Sequence, residues 1–171
     1  MTDLSLVLAR WRVPLGFACG LAVLWLARPT PRSLMIGGAI AVTGELLRIW
    51  AAGHLEKGRE VTRSGPYRLT RHPLYAGSTI VGVGAAIAAA RLSVAVLIGV
   101  YLASTIVSAI RTEEAGMRAS FGDQYDAYLE SRSTPVGRPF SVRRAMKNKE
   151  YRAVVGLAAV AAILAVKAAW K

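Results

Sequence analysis

Five apolar segments dominate the pattern of hydrophobic and polar positions along the chain. They cover residues 13–27, 33–53, 73–90, 92–110 and 153–170. A helix that crosses a bilayer needs about 20 predominantly apolar residues, and roughly 17 to 25 are tolerated. The first segment reaches this length only if it includes Arg10 or Arg12. The pattern therefore predicts an all-α fold, a multispan transmembrane helical bundle of about five spans.

The links between the segments are of two kinds, short and long. Arg91 alone separates the third segment from the fourth, which predicts a tight helical hairpin. The long links are residues 54–72 and 111–152, and they hold most of the 22 Lys and Arg residues. Because basic residues gather on the cytoplasmic side, we expect a cell-membrane protein with its N-terminus and both long links in the cytoplasm and its C-terminus outside. No secretory signal pattern is evident, so we expect the first segment to stay attached.

The composition excludes several classes of protein. The chain is 54% hydrophobic, with a formal charge of +12 and a mean hydropathy of +0.39. A disordered tail has fewer apolar residues, and a disulfide scaffold needs more than the single Cys19. The basic residues alternate with apolar spans, so we expect them to attract membrane lipid headgroups and expect no nucleic acid partner. With only His54, His72 and one cysteine, we expect no metal.

The sequence Arg71-His72-Pro73 marks the predicted start of the third span. Proline favours the first position of a helix, and the first N–H groups of a helix have no partner within it. One interpretation is a corner that binds an anionic group such as a carboxylate. The other is a helix cap, with arginine and tyrosine side chains anchored at the membrane surface.

Glu113 and Glu114 follow the fourth apolar segment directly. We expect the helix to end there, and carboxylates at a helix C-terminus oppose its macrodipole. Either Arg111 and Arg118 neutralise them, or they form a clamp for the hydroxyl and amino groups of a ligand. In the second case they would face the corner at Arg71.

Two further pairs have open interpretations. Tyr125 and Tyr128 are three residues apart, so they share one helix face, as part of an interfacial belt or as the lid of a pocket. Glu45 and Arg48 are also three apart, within the second apolar segment, and we expect them to pair. Ionisable residues inside a bilayer mark either a functional site or a packed polar network.

Several motifs follow one another in a specific order. They are Gly53-His54-Leu55-Glu56-Lys57, Ser64-Gly65-Pro66-Tyr67, Arg71-His72-Pro73-Leu74-Tyr75-Ala76-Gly77, Glu113-Glu114 and Phe121-Gly122-x-x-Tyr125-x-x-Tyr128. In this order and spacing, the motifs resemble the isoprenylcysteine carboxyl methyltransferase family. The related phospholipid methyltransferases share much of the pattern. The resemblance covers roughly residues 44–140.

The resemblance implies an integral membrane enzyme that uses S-adenosyl-L-methionine without a Rossmann fold and releases S-adenosyl-L-homocysteine. It implies a cytoplasmic cofactor pocket built from the loop before span three and the segment after span four. The cofactor-binding residues would be Tyr67, His72, Pro73, Leu74, Tyr75, Glu113 and Glu114. Arg71 matches the family's functional arginine beside the His-Pro pair.

Methyl transfer depends mainly on the proximity and orientation of the two reactants. We expect a lipophilic methyl acceptor to enter from the bilayer along a route lined by Glu45 and Arg48. The candidate catalytic residues are Arg71, Glu114 and Arg48, with Arg71 orienting an acceptor carboxylate. Carboxyl O-methylation is the leading hypothesis, and methylation of a phospholipid or another small hydrophobic molecule is the alternative. A nicotinamide-dependent membrane reductase and a non-catalytic membrane adaptor are the alternatives from other classes.

We expect residues 1–171 to form a single integral membrane domain, with a methyltransferase-like core at residues 44–140. The resemblance does not explain residues 141–171, a basic segment followed by an extra C-terminal span. Helix–helix dimerisation and membrane anchoring are two possible roles for it. The sequence leaves the oligomeric state open.

Overall fold

The computed structural model describes residues 3–130 and 134–170, with side chains from Pro14 onward. Every regular element within these residues is helical. The elements are α1 (Asp3–Leu26), α2 (Pro31–Ala52), the 3₁₀ turn Gly65–Arg68, α3 (Pro73–Ala89), α4 (Leu92–Phe121), α5 (Asp123–Leu129), α6 (Val142–Lys147) and α7 (Tyr151–Ala169). The predicted all-α fold is confirmed.

The five apolar segments correspond to α1, α2, α3, α4 and α7. Of these, α2, α4 and α7 are long and apolar enough to cross a membrane. The apolar part of α1, Pro14–Leu26, and α3 are shorter. The 17 residues of α3 rise about 25 Å, less than the roughly 30 Å of a hydrocarbon core. Three candidate spans are therefore found among the described residues, and five spans stays a prediction. Helix α1 includes Arg10 and Arg12, whose side chains lie outside the described part.

Local sequence sets the helix boundaries. Thr30 caps α2, because its hydroxyl accepts a hydrogen bond from the Ser33 N–H at 3.1 Å while Ser33 Oγ accepts from the Thr30 N–H at 2.9 Å. Ala90 adopts a left-handed φ of 51° and reverses the chain between α3 and α4. Arg91 is the N-cap residue of α4. The predicted tight hairpin at Arg91 is confirmed.

Helices α2 and α3 pack antiparallel at very short range because glycines face each other across the interface. A Cβ atom on Gly44 would lie 2.7 Å from the Gly77 carbonyl oxygen and 2.7 Å from the Val81 nitrogen. Towards the other end of the pair, a Cβ atom on Gly84 would lie 2.5 Å from the Gly37 carbonyl oxygen. Small residues that let backbones approach are the usual basis of helix association in membranes.

One end of the bundle is closed by contacts between helices distant in sequence. Its buried core consists of Val23, Ala27, Ala88, Ala89, Val94 and Leu164. Lys167 Nζ of α7 donates hydrogen bonds to the Leu24 carbonyl at 2.8 Å and the Trp25 carbonyl at 2.7 Å. These carbonyls belong to the last turn of α1, where a cation is favourable. Helix α7 is therefore tied to α1.

The opposite end of the bundle carries the polar segments. Residues 53–64, the inner loop, follow α2, and residues 134–150, the strap, pack against them. The Ser141 N–H donates to the Gly53 carbonyl at 3.2 Å, and the Val136 N–H donates to the Arg63 carbonyl at 3.3 Å. The strap includes α6 and leads into α7.

We expect Gly44→Ala to destabilise the protein and Gly38→Ala to leave it as stable or slightly more stable. The new methyl group at position 44 overlaps the α3 backbone, and overpacking costs about 1 to 3 kcal/mol, whereas a Cβ atom on Gly38 meets nothing within 4 Å. Both changes gain the same helix propensity, so their difference isolates the overlap. Thermal unfolding in detergent measures it, and equal midpoints for the two variants would contradict tight α2–α3 packing.

Candidate functional site

The site begins at the inner end of α3. Gly65 has a φ of 54°, a conformation that glycine adopts without strain, and it starts the 3₁₀ turn in which Pro66 and Tyr67 are buried. The chain then reaches His72, the N-cap residue of α3, and Pro73 at the first helical position. Pro73 is fully buried. The predicted helix start at Arg71-His72-Pro73 is confirmed.

Helix α4 does not end at the carboxylates, so the expected position of Glu113 and Glu114 at its C-terminus is wrong. The helix continues to Phe121, and Gly122, with a φ of 44°, follows it. Its 30 residues rise about 45 Å, more than a hydrocarbon core requires. The fall in hydropathy after residue 110 therefore marks a change of environment rather than the end of the helix.

The two polar segments meet through Glu114. His72 Nε2 lies 3.0 Å from Glu114 Oε1, which joins the start of α3 to the inner part of α4. Arg118 does not neutralise the two carboxylates as one interpretation expected. Its Nε instead pairs with Asp126 Oδ1 of α5 at 3.1 Å. Glu114 is thus occupied by His72, while Glu113 faces a cavity.

Helix α5 covers this junction with aromatic side chains. Tyr128 Oη donates to the Tyr67 carbonyl at 2.9 Å, and Arg71 Nη2 donates to the Leu129 carbonyl at 3.0 Å. The rings of Tyr125 and Tyr128 lie 6.3 Å apart. Both tyrosines line the smaller of two adjoining cavities, which is the position that the lid interpretation requires.

The two cavities lie between the inner loop, the start of α3 and α4. The larger has a volume of about 540 Å³ and the smaller about 60 Å³. They share Leu55, Lys57, Tyr67, Arg71, His72 and Glu113. Pro73, Leu74 and Tyr75 line the larger cavity as well. All the residues predicted to bind the cofactor except Glu114 therefore lie on cavity walls, and Glu114 contacts one of them.

The cavity walls carry fixed charges of both signs. Lys57 and Arg71 supply the cations, and Glu113 supplies a carboxylate. Burial, and to a smaller extent the charge of Glu113, raises the pKa of the Tyr67 hydroxyl well above its usual value. Tyr67 therefore stays protonated near neutral pH. The cavity can bind an anionic and a cationic group of one ligand at separate points.

Sequence reasoning missed the face of α4 that lines the larger cavity. This face is formed by Tyr101, Ser104, Thr105, Ser108, Ala109 and Thr112. The hydroxyl groups of Ser104 and Thr112 donate to backbone carbonyls one turn earlier, at 3.0 and 2.9 Å. A signal was present, because hydroxyl side chains recur every three to four residues within an otherwise apolar segment.

Glu45 and Arg48 form the expected pair, with Arg48 Nε 3.4 Å from Glu45 Oε2. Arg48 also contacts Glu150, the N-cap residue of α7, at 2.8 Å, and it donates a hydrogen bond to Ser78. Neither Glu45 nor Arg48 lines the two cavities at this site. Their position fits a packed polar network that joins α2, α3 and α7. The substrate-lining role of Glu45 and Arg48 and the catalytic role of Arg48 stay predictions, since neither residue lies on a cavity wall.

The inner loop contains a buried histidine outside the cavities. His54 is 5% exposed, and its Nδ1 lies 3.1 Å from Ser64 Oγ. Burial lowers its pKa below the usual value, and the cationic Arg144 and Arg138 of the strap lower it further. The fold therefore holds His54 in its neutral form.

Among the described residues, no group of three or more His, Cys, Asp or Glu side chains is placed to hold a metal ion.

Comparison with known proteins identifies the family of this chain. The sequence model of the phospholipid methyltransferase family matches residues 33–124, more than half of the chain. The chain therefore belongs to this family of membrane methyltransferases, which is related to the isoprenylcysteine carboxyl methyltransferases. The resemblance drawn from the motifs is confirmed. No curated protein and no solved structure matches the chain.

We expect the stability of the protein to fall as the pH decreases below about 6.5, in part because of His54. Its pKa is near 6.5 in the unfolded chain and lower in the fold, so the unfolded state binds the proton first. The stabilisation is complete above pH 6.5 and is lost as the pH falls through the folded pKa. Unfolding midpoints between pH 7.5 and 5.5 measure this, and His54→Gln should flatten the dependence. An unchanged slope in that variant would contradict the assignment.

Proposed function

We propose that this membrane methyltransferase transfers a methyl group from S-adenosyl-L-methionine to a lipophilic acceptor in the cavity beside α3 and α4. The observation that carries the proposal is the continuity of the larger cavity. It runs from the charged corner at Arg71 and Glu113 to the hydroxyl-bearing face of α4 at Tyr101. A water-soluble cofactor and a lipid acceptor need such a cavity, with one charged end and one less polar end.

The residues present fit the cofactor. The N-terminus of α3, together with Lys57, suits the carboxylate of the cofactor, which leaves Arg71 for the acceptor. Glu113 suits an ammonium group or ribose hydroxyls, and the protonated Tyr67 adds a hydrogen-bond donor. When bound, S-adenosyl-L-methionine supplies an electrophilic methyl group on a sulfonium sulfur. The fully buried Pro73 gives this wall a rigid backbone.

The acceptor would approach along α4. Ser104 and Thr112 use their hydroxyl hydrogens within the helix, so that their oxygen lone pairs remain for donors on a polar headgroup. Leu15 of α1 lines the same cavity and offers apolar contact. The charged end of the cavity lies on the side that positive residues favour, so we propose that the site faces the cytoplasm in the cell membrane.

The protein's own contribution is orientation and the exclusion of water. Arg71 would hold an anionic group of the acceptor in line with the methyl group, and proximity of this kind supplies most of the acceleration that methyl transfer needs. Glu114 does not reach the cavity wall in this arrangement. We propose that it acts as a positioning residue, because its carboxylate fixes the ring of His72 at the entrance.

Two acceptor chemistries fit the cavity. A carboxylate is already nucleophilic at neutral pH and would bind Arg71, which supports carboxyl O-methylation as in the isoprenylcysteine carboxyl methyltransferases. A phospholipid amine must first lose a proton to solvent, and Arg71 would hold its phosphate. The family description supports this second chemistry. Either acceptor is a lipid with an anionic group.

We expect the purified protein to bind S-adenosyl-L-homocysteine and Glu113→Gln to weaken that binding about tenfold or more. The substitution removes the charge that pairs with the ligand ammonium while keeping the side-chain shape. Isothermal titration calorimetry in detergent measures the affinity. Asp123→Asn is the matched control, because Asp123 is exposed and does not line the cavities. Absence of binding by the unmodified protein would contradict a cofactor site and favour a non-catalytic adaptor.

We expect Arg71→Ala to lower methyl transfer by roughly a hundredfold, because a misplaced acceptor loses the effect of proximity. The assay follows a labelled methyl group into lipids in nanodiscs that contain either a prenylcysteine with a free carboxylate or phosphatidylethanolamine. Which lipid becomes labelled decides between the two chemistries. Arg68→Ala changes an exposed arginine nearby and should retain activity. Unchanged activity in Arg71→Ala would overturn the role of Arg71.

A further inference from the structure

The strap lies beyond the residues that match the family, yet it makes the densest polar contacts of the inner loop. Arg138 forms a two-point ion pair with Glu60, with nitrogen–oxygen distances of 2.6 and 2.7 Å. Arg144 Nε donates to Glu56 Oε1 at 2.8 Å. Charged pairs with two parallel contacts fix geometry as well as adding attraction.

The strap also satisfies carbonyl groups at the end of α2. Arg144 Nη1 donates to the Gly53 carbonyl at 2.5 Å, and Asn148 Nδ2 donates to the Ala52 carbonyl at 2.8 Å and the Leu55 carbonyl at 2.9 Å. Carbonyls in the last turn of a helix otherwise need a cap or water. Phe140 adds an apolar contact, because its ring packs directly on Gly53. The strap thus holds both the start and the middle of the inner loop.

The inner loop in turn forms one wall of the smaller cavity. Its lining residues are Leu55, Glu56, Lys57, Gly58, Glu60, Val61 and Thr62. Glu56 and Glu60 are therefore shared, since each lines the cavity and also pairs with a strap arginine. The hydrogen bond from Arg144 lowers the pKa of Glu56, so this ion pair persists at neutral pH. The strap arginines themselves do not line either cavity.

We propose that Arg138, Arg144 and Asn148 are positioning residues for cofactor binding, which act by holding the inner loop against the start of α3. The inference rests on the proposed function, because it assigns the cavity to the cofactor. It gives the basic part of residues 141–171 a role that the family pattern does not contain. The strap acts through Leu55 and Lys57, which reach the larger cavity as well.

The first test measures the loop without any ligand. In hydrogen–deuterium exchange on the purified full chain, Arg144→Gln should raise the exchange of peptides that cover residues 54–62. Arg143→Gln is the matched control, because it removes the same charge from an exposed neighbour. Equal exchange in both variants and in the unmodified protein would overturn the proposal that the strap holds the loop.

The second test measures the affinity for S-adenosyl-L-homocysteine by calorimetry. We expect Arg144→Gln and Arg138→Glu each to raise the dissociation constant about tenfold, and Arg143→Gln to leave it unchanged. Arg138→Glu combined with Glu60→Arg restores the ion pair in reverse and should recover most of the affinity. A general folding defect would not be rescued in this way.

The outcomes separate the two proposals. If the unmodified protein does not bind S-adenosyl-L-homocysteine, the proposed function fails, and the role of the strap in cofactor binding fails with it. If the unmodified protein binds and all strap variants bind equally well, only the strap proposal is overturned. Weaker binding with rescue by the charge reversal supports it.

Discussion

The close packing of α2 on α3 is the constraint on which the rest of the structure depends. Backbone approaches backbone at Gly44 and Gly77, so the two helices cannot slide or tilt without steric overlap. Their antiparallel arrangement places the end of α2 and the start of α3 side by side. The inner loop and the His72–Pro73 corner are therefore fixed next to each other before any side chain of the cavity is considered. The cavity is a consequence of where two helix ends meet.

Helix α4 forms the second wall of the larger cavity, and it runs from an apolar part to a charged part. Its first part is apolar, while its last turns carry Glu113, Glu114 and Arg118. One continuous helix thus presents hydroxyl groups and the Glu113 carboxylate to the same cavity. An enzyme that transfers a group from a water-soluble donor to a lipid acceptor has to bring a reactant from water and a reactant from the bilayer to one site. A continuous helix does this with fixed spacing.

The sequence predicted the features that depend on local chemistry. Apolar length predicted where the helices form, and Pro73 predicted the start of α3, because proline constrains its own position whatever surrounds it. Hydropathy misplaced the end of α4, since helix continuation depends on the backbone at Gly122 and not on polarity. The pairing of Arg48 with Glu45 was predicted from their spacing, but its second partner Glu150 and the partner of Arg144, Glu56, could not be, because both are distant in sequence and only tertiary packing selects them. The motifs in the sequence predicted the residues at the charged corner of the cavity, whereas the cavity walls between those residues became visible only in the fold.

The link between Lys167 and the end of α1 has a consequence for the order of assembly. The Leu24 and Trp25 carbonyls receive their donors from a residue synthesised about 140 positions later. Helices α1 to α4 are therefore synthesised while this end is still incomplete, and it is completed only when α7 packs against α1. The strap, which completes the inner loop at the opposite end, is synthesised directly before α7. The contacts that complete both ends of the molecule thus come from the last part of the chain, so partly translated chains lack the finished form of the cavity.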